Sequence, residues 1–377
     1  MRINTEIEFR HVLILILFLL CLRMTLYPLP AADTWWMLRS GQVILETHSI
    51  PERDIFSYTA CGLPWINHEW LSALFFYVLF KAGGFFALYF IKSCIILITY
   101  FTAFRLALDR CGNVGAAALA GIWMLLISGG RLYFDVRAYI ISYLLLALTL
   151  LILNHSYNKG MNKLIFLIVP ITLVWVNMHG AYILSYLLQL IYLLVYLVEK
   201  RTEDGGRREV MPVRGMAGVK GLFKCSVFSG SLAFMFSIAA GLLNPYGAKI
   251  FLYPFTFLGD SFYRRNLIEW IPPDYWGRNL PLTVSIILIL ILAFIFYKRF
   301  FLTDFLVLLA FSYLALTVVR HSGIYSIAAF PAVAVIISAL SEKITEIFNF
   351  KKIPAVSYTH LRAHETPEHL VCRLLLE

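Results

Sequence analysis

Residues 32–70 of the chain read ADTWWMLRSGQVILETHSIPERDIFSYTACGLPWINHEW. This is the largest polar segment in the first part of the chain. It directly follows an apolar run, residues 11–29, that is long enough to cross a bilayer. Two aspartates, a His-Glu pair and four tryptophans fall within the polar segment. A loop rich in carboxylates and tryptophan immediately after a first membrane span predicts a catalytic loop at a membrane surface.

The composition of the chain is that of a membrane protein. Hydrophobic residues make up 60% of the sequence and charged residues only 14%, which excludes an ordinary soluble domain. The apolar runs are continuous rather than alternating, which favours helices over a β-barrel. We therefore expect an all-α polytopic membrane protein with about ten transmembrane helices. The candidate spans are residues 11–29, 85–105, 115–132, 139–154, 164–176, 181–198, 225–243, 282–297, 305–319 and 323–340.

The net charge of +10 indicates membrane topology rather than a nucleic-acid partner. If the N-terminus lies in the cytoplasm, Lys and Arg are more frequent in the inner connections than in the outer ones, which agrees with the positive-inside rule. We expect an integral, multi-pass protein of a prokaryotic cytoplasmic membrane. Residues 1–355 are expected to form one transmembrane domain, with a first outer loop at 30–70, a basic cytoplasmic linker at 199–224 and a second outer segment at 244–281.

This topology brings charged residues from distant parts of the chain to the outer face. The Arg guanidinium suits phosphate because it offers a bidentate fork of donors. We therefore predict a lipid-linked phosphate site formed by Arg131, Arg137, Arg320 and His321. The alternative is that these arginines only reach toward lipid headgroups. The sequences NMHG and NPYG predict turns, and the first either closes a tight hairpin or presents His179 to a cavity.

Several residues have alternative interpretations. Asp33 either acts as a general base on an acceptor hydroxyl or caps a helix that begins at Thr34. His68 and Glu69 either support the loop or bind a divalent cation together with a nearby aspartate. Adjacent residues of a helix point about 100° apart, which disfavours the metal site. Lys92 lies well inside a predicted span, where it must reach outward or pair with a carboxylate.

The C-terminal residues 356–377 differ in kind from the rest of the chain. Translated back into nucleotides, residues 356–366 resemble read-through of a transposase-type sequencing adapter, and residues 369–377 resemble the flow-cell end of the same adapter. We expect this segment to be a non-native tail, so its histidines and its cysteine are excluded from any metal site. The authentic sequence is then expected to end near Ala355.

Five segments of the sequence resemble the GT-C superfamily of polytopic glycosyltransferases, which includes protein O-mannosyltransferases and the aminoarabinose transferase of lipid A. They are DTWWMLRSGQVILE, PERDIFSYTACGLPWINHEWLS, WVNMHG, LLNPYG and EWIPPDYW, and they are most similar to a bacterial and archaeal group of GT-C-like membrane proteins. The resemblance covers nearly all of residues 1–355. It implies that Asp33 is the catalytic carboxylate and that Asp54 is a second acidic residue of the same loop. The usual Asp-Glu doublet is Asp33-Thr34 here, which leaves the metal requirement open.

The resemblance implies a membrane glycosyltransferase that moves a sugar from a polyprenyl-phosphate donor to an acceptor at the extracytoplasmic face. The predicted catalytic residues are Asp33 and Asp54, the predicted phosphate-binding residues are Arg131, Arg137, Arg320 and His321, and the predicted loop-supporting residues are Trp35, Trp36, His68, Glu69 and His179. The expected partners are membrane lipid and the donor, without nucleic acid. The sugar, the acceptor and a divalent-cation cofactor stay open. The alternative is a non-enzymatic membrane protein, such as a transporter of lipid-linked or anionic solutes, although the sequence shows no evident internal repeat.

Overall fold

The structure is a computed structural model that describes residues 9–26, 32–127, 135–158, 163–204, 223–259 and 266–348. These residues are mainly helical and contain no β-strand, which confirms the all-helical prediction. An isolated bridge joins Arg53 and Pro64 in the segment between α2 and α3. Arg131 and the expected tail at 356–377 lie outside the described residues.

The α-helices of the described residues follow one another in a simple order, with short 3₁₀ segments between some of them. They are α1 Phe9–Thr25, α2 Ala32–Thr47, α3 Trp70–Cys111, α4 Val114–Ile127, α5 Ala138–Asn158, α6 Ile168–Met178, α7 Ile183–Asp204, α8 Phe223–Gly241, α9 Lys249–Gly259, α10 Leu280–Ile295, α11 Leu302–Thr317 and α12 Ser322–Ile347. The 3₁₀ segments are Lys163–Leu167, Gly180–Tyr182, Ile268–Trp270, Tyr297–Arg299 and Val319–His321.

Four helical segments in the described residues are long and apolar enough to cross a membrane. They are Trp70–Cys111, Ala138–Asn158, Gly180–Glu199 and Val319–Ile347. Shorter apolar helices are Val114–Ile127, Lys163–Met178, Val227–Gly241, Leu280–Ile295 and Leu302–Thr317. In α5, 72% of the most apolar stretch is buried inside the structure, so this span is surrounded by other helices rather than by lipid. The chain is therefore a helical membrane protein.

Helix α2 packs against the start of α3. The contact is close at Gly41, where an added Cβ atom would lie 2.1 Å from the carbonyl oxygen of Ala73 and 2.6 Å from the Cβ atom of Tyr77. Only glycine allows the two backbones to approach this closely. The tight approach fixes the second half of α2 beside the start of α3.

The long helix α3 is broken at Gly83 and Gly84, where the glycine pair in the sequence predicts the end of a short helix over residues 69–81. Gly83 and Gly84 have non-helical backbone angles, with φ of −149° and 58° respectively. The positive φ of Gly84 belongs to a region that residues with a side chain rarely adopt. A short helix therefore precedes the glycine pair and a longer apolar helix follows it, in agreement with the predicted stop of a short helix at this pair.

Hydrogen bonds join three motif segments of the sequence to one another. The Asn177 side-chain carbonyl accepts hydrogen bonds from Trp70 Nε1 and from Asn244 Nδ2, each at 3.1 Å. The backbone N–H of Tyr246 donates to Asn244 Oδ1 at 3.0 Å, and the Tyr246 hydroxyl accepts from the backbone N–H of Asn67 at 2.9 Å. The segments WVNMHG, LLNPYG and INHEW are thereby held as one unit, although they are far apart in the sequence.

The chain divides into two compact units, Met1–Ser338 and Ala339–Glu377. The first unit contains most of the described helices. The described part of the second unit is the end of α12 together with the turn residue Phe348. The sequence predicts a linker at 199–224. In the structure, α7 extends to Asp204 and α8 begins at Phe223, so both ends of the predicted linker are helical.

Candidate functional site

A cavity of about 320 Å³ lies in the first unit, where most of the motif segments meet. The sequence-predicted site residues that line it are Asp33, Trp36, His68, Glu69, Arg137, His179, Arg320 and His321. Apolar and aromatic side chains, among them Tyr253, Leu314 and Ile324, form the rest of its wall. A mostly apolar cavity with a few convergent polar groups is the usual form of a ligand site.

A network of two arginines and two carboxylates forms one side of the cavity. Arg137 makes an ion pair with Asp33 and donates a hydrogen bond from Nη1 to Glu269 Oε1 at 2.9 Å. Arg320 Nη1 lies 3.4 Å from Glu269 Oε2. Burial alone would lower the pKa of the Arg137 guanidinium, but Glu269 and Asp33 outweigh it and raise the pKa above its usual range. Both arginines are therefore cationic and already hold protein carboxylates.

Aromatic rings keep the two arginines in place. The Arg320 guanidinium lies 5.7 Å from the ring centroid of Tyr139 and 5.6 Å from that of Trp270. The Arg137 guanidinium lies 5.2 Å from the Tyr139 ring. A cation near an aromatic face is attracted by the ring quadrupole. Tyr139 therefore contacts both arginines from one side and fixes their spacing.

Asp33 lies at the first turn of α2 and is the more exposed carboxylate of the cavity. Its side chain is 41% exposed. Trp36 Nε1 donates to Asp33 Oδ1 at 3.1 Å, while Oδ2 faces Arg137. The helix begins at Ala32, so Asp33 lies within the first turn. The helix therefore begins two residues before Thr34, and the Asp33 carboxylate is directed to Trp36 and Arg137.

A second polar cluster contains Glu69 and two histidines. Both His68 Nε2 and His179 Nε2 lie near Glu69 Oε1, at 3.5 and 3.4 Å. The side chain of Glu69 is only 14% exposed. Burial would raise the pKa of the Glu69 carboxyl, but His68, His179 and Arg320 together lower it to about 2. Glu69 is thus a buried, ionised carboxylate at neutral pH.

The hydrogen bonds of His179 define its tautomer. The Ala181 backbone N–H donates to His179 Nδ1 at 3.3 Å, and because an N–H can only donate, Nδ1 is an acceptor. Ser142 Oγ lies 2.8 Å from the same nitrogen and accepts from Trp175 Nε1 at 2.7 Å. The proton of the ring is therefore on Nε2, which faces Glu69. Burial lowers the pKa of His179 to about 3 despite the attraction of Glu69, so the ring is neutral.

Two neighbours determine the position of His68. Its ring lies against Tyr253, with 4.6 Å between the ring centroids and 33° between the planes. On another side, a Cβ atom added to Gly180 would lie 3.2 Å from His68 Cδ2. The glycine of the NMHG segment therefore leaves the space that the His68 ring needs. Of the two alternatives for NMHG, the structure has the one that presents His179 to a cavity.

Two of the described site residues that the sequence predicts, Asp54 and Trp35, do not line the cavity. Asp54 accepts hydrogen bonds from the backbone N–H groups of Phe56 and Ser57 at 2.8 and 2.9 Å, and these bonds, with that of the Ser57 hydroxyl, lower the pKa of its carboxyl. Asp54 thus stabilises its own turn. Trp35 is 54% exposed and contacts Phe85 edge-on. The predicted phosphate ligand Arg131 lies outside the described residues.

Glu269, Ser142 and Tyr139 are site residues that the sequence analysis did not select. Glu269 precedes a tryptophan in EWIPPDYW, a segment that carries the family resemblance, and this is the signal that could have found it. Ser142 and Tyr139 lie within an apolar span, where nothing in the sequence distinguishes them from core residues. Their role becomes visible only through their contacts with His179 and with the arginines.

Asp135 adjoins the cation network and interacts with Lys92. Lys92 is fully buried within α3, and the negative charge of Asp135 acts on its ammonium group. Burial raises the pKa of Asp135 to about 6, although Arg137 and Lys92 act in the opposite direction. This carboxyl therefore changes its charge close to neutral pH.

No protein-family model matches the chain, and no match was found among the curated proteins. Within the part of the chain that the structure describes, no group of three or more His, Cys, Asp or Glu side chains is arranged to hold a metal ion. The cluster of Glu69 with two histidines is therefore described by its hydrogen bonds and charge.

Proposed function

We propose that this protein is a membrane glycosyltransferase of the GT-C type, with about ten membrane crossings and its N-terminus in the cytoplasm. It takes a sugar from a polyprenyl-phosphate donor and transfers it to an acceptor at the extracytoplasmic face. The observation that carries the proposal is the meeting of Asp33, Arg137 and Arg320 at a single, largely apolar cavity of a helical membrane protein. These residues come from three distant segments of the chain.

In the proposed reaction, Asp33 acts as the general base. Its carboxylate accepts the proton of an acceptor hydroxyl while the hydroxyl oxygen forms a bond to the anomeric carbon of the sugar. The bond between that carbon and the phosphate oxygen breaks, and its electron pair leaves with the polyprenyl phosphate. Attack opposite the leaving group inverts the anomeric configuration. The contacts with Trp36 and Arg137 orient the carboxylate, and its exposed fraction of 41% leaves it accessible to an acceptor.

Arg137 and Arg320 stabilise the negative charge that develops on the departing phosphate. Fixed cations aimed at developing charge in a site with little water are effective catalysts, because they need no reorganisation during the reaction. The apolar residues Leu314 and Ile324 offer a surface for the first isoprene units of the donor. Because both arginines already hold Glu269, the donor phosphate must compete with this carboxylate.

The proposal is tested by sugar transfer with purified protein. Polyprenyl phosphate carrying radiolabelled glucose, galactose or mannose is incubated with the protein and native membranes, and donor-dependent labelled product is measured. We expect the Asp33→Asn variant to lose transfer by about 100-fold or more, since loss of general-base catalysis typically costs this much. The matched control is Asp109→Asn, because Asp109 is an exposed residue paired with Arg105 at 3.3 Å on the same helix.

Unchanged transfer by Asp33→Asn would show that the assigned base is wrong. Movement of intact labelled donor across a proteoliposome membrane, without release of the sugar from the lipid, would instead support the transporter alternative. If no tested donor yields product or moves, the proposed donor class is wrong.

A further inference from the structure

The cavity has two polar regions that differ in net charge. One region contains the cations Arg137 and Arg320, which face the carboxylates of Glu269 and Asp33. The other contains Glu69 between two histidine rings. A phosphate is attracted to the arginines and repelled by the ionised Glu69. A ligand with a phosphate at one end is therefore oriented by this charge difference, and its other end lies nearer Glu69.

The Glu69 region has hydrogen-bonding groups suited to a neutral, hydroxyl-rich ligand. The two close contacts of Glu69 with histidine both use Oε1. The carboxylate is an acceptor-only group, and hydrogen bonds to an ionised acceptor are about twice as strong as neutral ones. Additional O–H donors would therefore stabilise this buried charge.

Aromatic residues line the cavity. Tyr253 packs on the His68 ring, while Trp36 contacts Asp33 and Trp270 lies beside Arg320. A sugar ring has hydroxyl groups at its edge and C–H groups on its faces, so a carboxylate among aromatic walls complements it. The cavity volume of about 320 Å³ lies at the lower end of the range for small-molecule sites, which is roughly 300–1,000 Å³.

We propose that His68, Glu69 and His179 form a sugar subsite, in which the Glu69 carboxylate accepts hydrogen bonds from the hydroxyl groups of the ring carried by the donor phosphate. This inference rests on the proposed function and assigns to these three residues a binding role beyond support of the loop. Ser142 and Trp175 act as positioning residues, because their hydrogen bonds hold His179 with its Nε2–H directed at Glu69. Gly180 is a further positioning residue, since it leaves room for the His68 ring.

The test compares the affinity of purified protein for two kinds of ligand, bare polyprenyl phosphate and polyprenyl phosphate carrying glucose, galactose or mannose. For the wild-type protein, at least one sugar-bearing ligand is expected to bind more tightly than bare polyprenyl phosphate. The Glu69→Gln variant keeps the shape of the side chain but removes its charge. We expect it to weaken binding of that sugar-bearing ligand by about tenfold, as for a hydrogen bond to a charged group. Binding of bare polyprenyl phosphate should change by less than about twofold.

A second variant separates a binding role from a folding defect. His68→Gln removes one of the two histidine rings that contact Glu69. We expect it to reduce the preference for the same sugar-bearing ligand over bare polyprenyl phosphate. Thermal unfolding in detergent establishes that both variants are folded. Equal losses for both kinds of ligand, or an unchanged preference in both variants, would overturn the sugar subsite. If neither kind of ligand binds the wild-type protein, the proposed function fails together with the sugar subsite. If the wild-type protein binds bare polyprenyl phosphate as tightly as the sugar-bearing ligands, only the sugar subsite is overturned.

Discussion

At the scale of single residues, Glu269 changes the interpretation of the arginines that face the cavity. The sequence predicts that Arg137 and Arg320 bind phosphate. In the structure both contact the Glu269 carboxylate, and Arg137 also contacts Asp33. Two guanidinium groups and two carboxylates carry no net charge together. An anionic ligand can therefore gain full interaction with the arginines only if a carboxylate moves away. Glu269 is the candidate, because it occupies the position of an anion between the two cations.

We expect the Glu269→Gln variant to bind bare polyprenyl phosphate about fivefold more tightly than the wild-type protein does. The reason is that the competing negative charge is removed, and an ion pair of partly exposed groups contributes about 1 kcal/mol at most. The measurement is a binding titration in detergent, with the exposed Glu46→Gln as the matched control. Weaker binding by Glu269→Gln would contradict this expectation and would identify Glu269 as a residue that positions the arginines for the ligand.

The residues that sequence analysis found share a recognisable chemical context. Asp33, Arg137, Arg320 and His179 are polar residues next to apolar runs, so a count of spans was enough to place them on one face. Glu269 lies in an irregular segment without hydrophobic periodicity. No local pattern shows that it contacts Arg137, which is 132 positions earlier in the sequence. Such a pairing depends on the tertiary fold and could not be predicted from the sequence alone.

At the scale of secondary-structure elements, the packing of α2 on α3 determines the position of Asp33, the proposed general base. Asp33 lies in the first turn of α2, and Gly41 lies two turns later at the close approach to Ala73. The buried hydroxyl of Thr34 also donates to the carbonyl of Val136 at 3.1 Å, which joins α2 to the segment that carries Arg137. The position of Asp33 relative to Arg137 thus depends on α2 staying in this position.

We expect Gly41→Ala to destabilise the protein by roughly 1–3 kcal/mol, the usual cost of overpacking, because the added Cβ atom would overlap the backbone of Ala73. The matched control is Gly115→Ala in α4, where the nearest atom would lie 3.4 Å away and the helix gains from the better helix former. Thermal unfolding in detergent, monitored by tryptophan fluorescence, measures both variants. Equal midpoints for Gly41→Ala and the wild-type protein would contradict the described packing of α2.

The helices were largely predictable because their signals are local. Apolar runs and the Gly83-Gly84 pair appear directly in the sequence, and the break in α3 occurs at that pair. The cap alternative has α2 begin at Thr34, whereas the helix begins at Ala32. The sequence does not show that the Asp33 carboxylate contacts Arg137. The helical ends of the linker were also missed, because a basic composition without apolar periodicity gives no helical signal near Asp204.

At the scale of the whole molecule, the central proposal is that the cavity binds a lipid-linked phosphate. The membrane character follows from the apolar helices. The charged residues of the network and the Glu69 cluster lie at or near the ends of helical segments, as the positions of Asp33, Glu69, Arg137 and Arg320 show. A lipid-linked ligand can enter such a site from the bilayer while its phosphate stays near the polar boundary.

Photo-crosslinking shows whether a lipid-linked phosphate binds in the cavity. A polyprenyl phosphate with a photoreactive group near the phosphate is bound to purified protein in nanodiscs, irradiated, and located by mass spectrometry of peptides. We expect crosslinks to the cavity wall at Tyr253, Leu314 or Ile324, and we expect excess unlabelled polyprenyl phosphate to suppress them. Crosslinks confined to exposed residues such as Phe101 and Phe294, without competition by the unlabelled lipid, would contradict binding in the cavity.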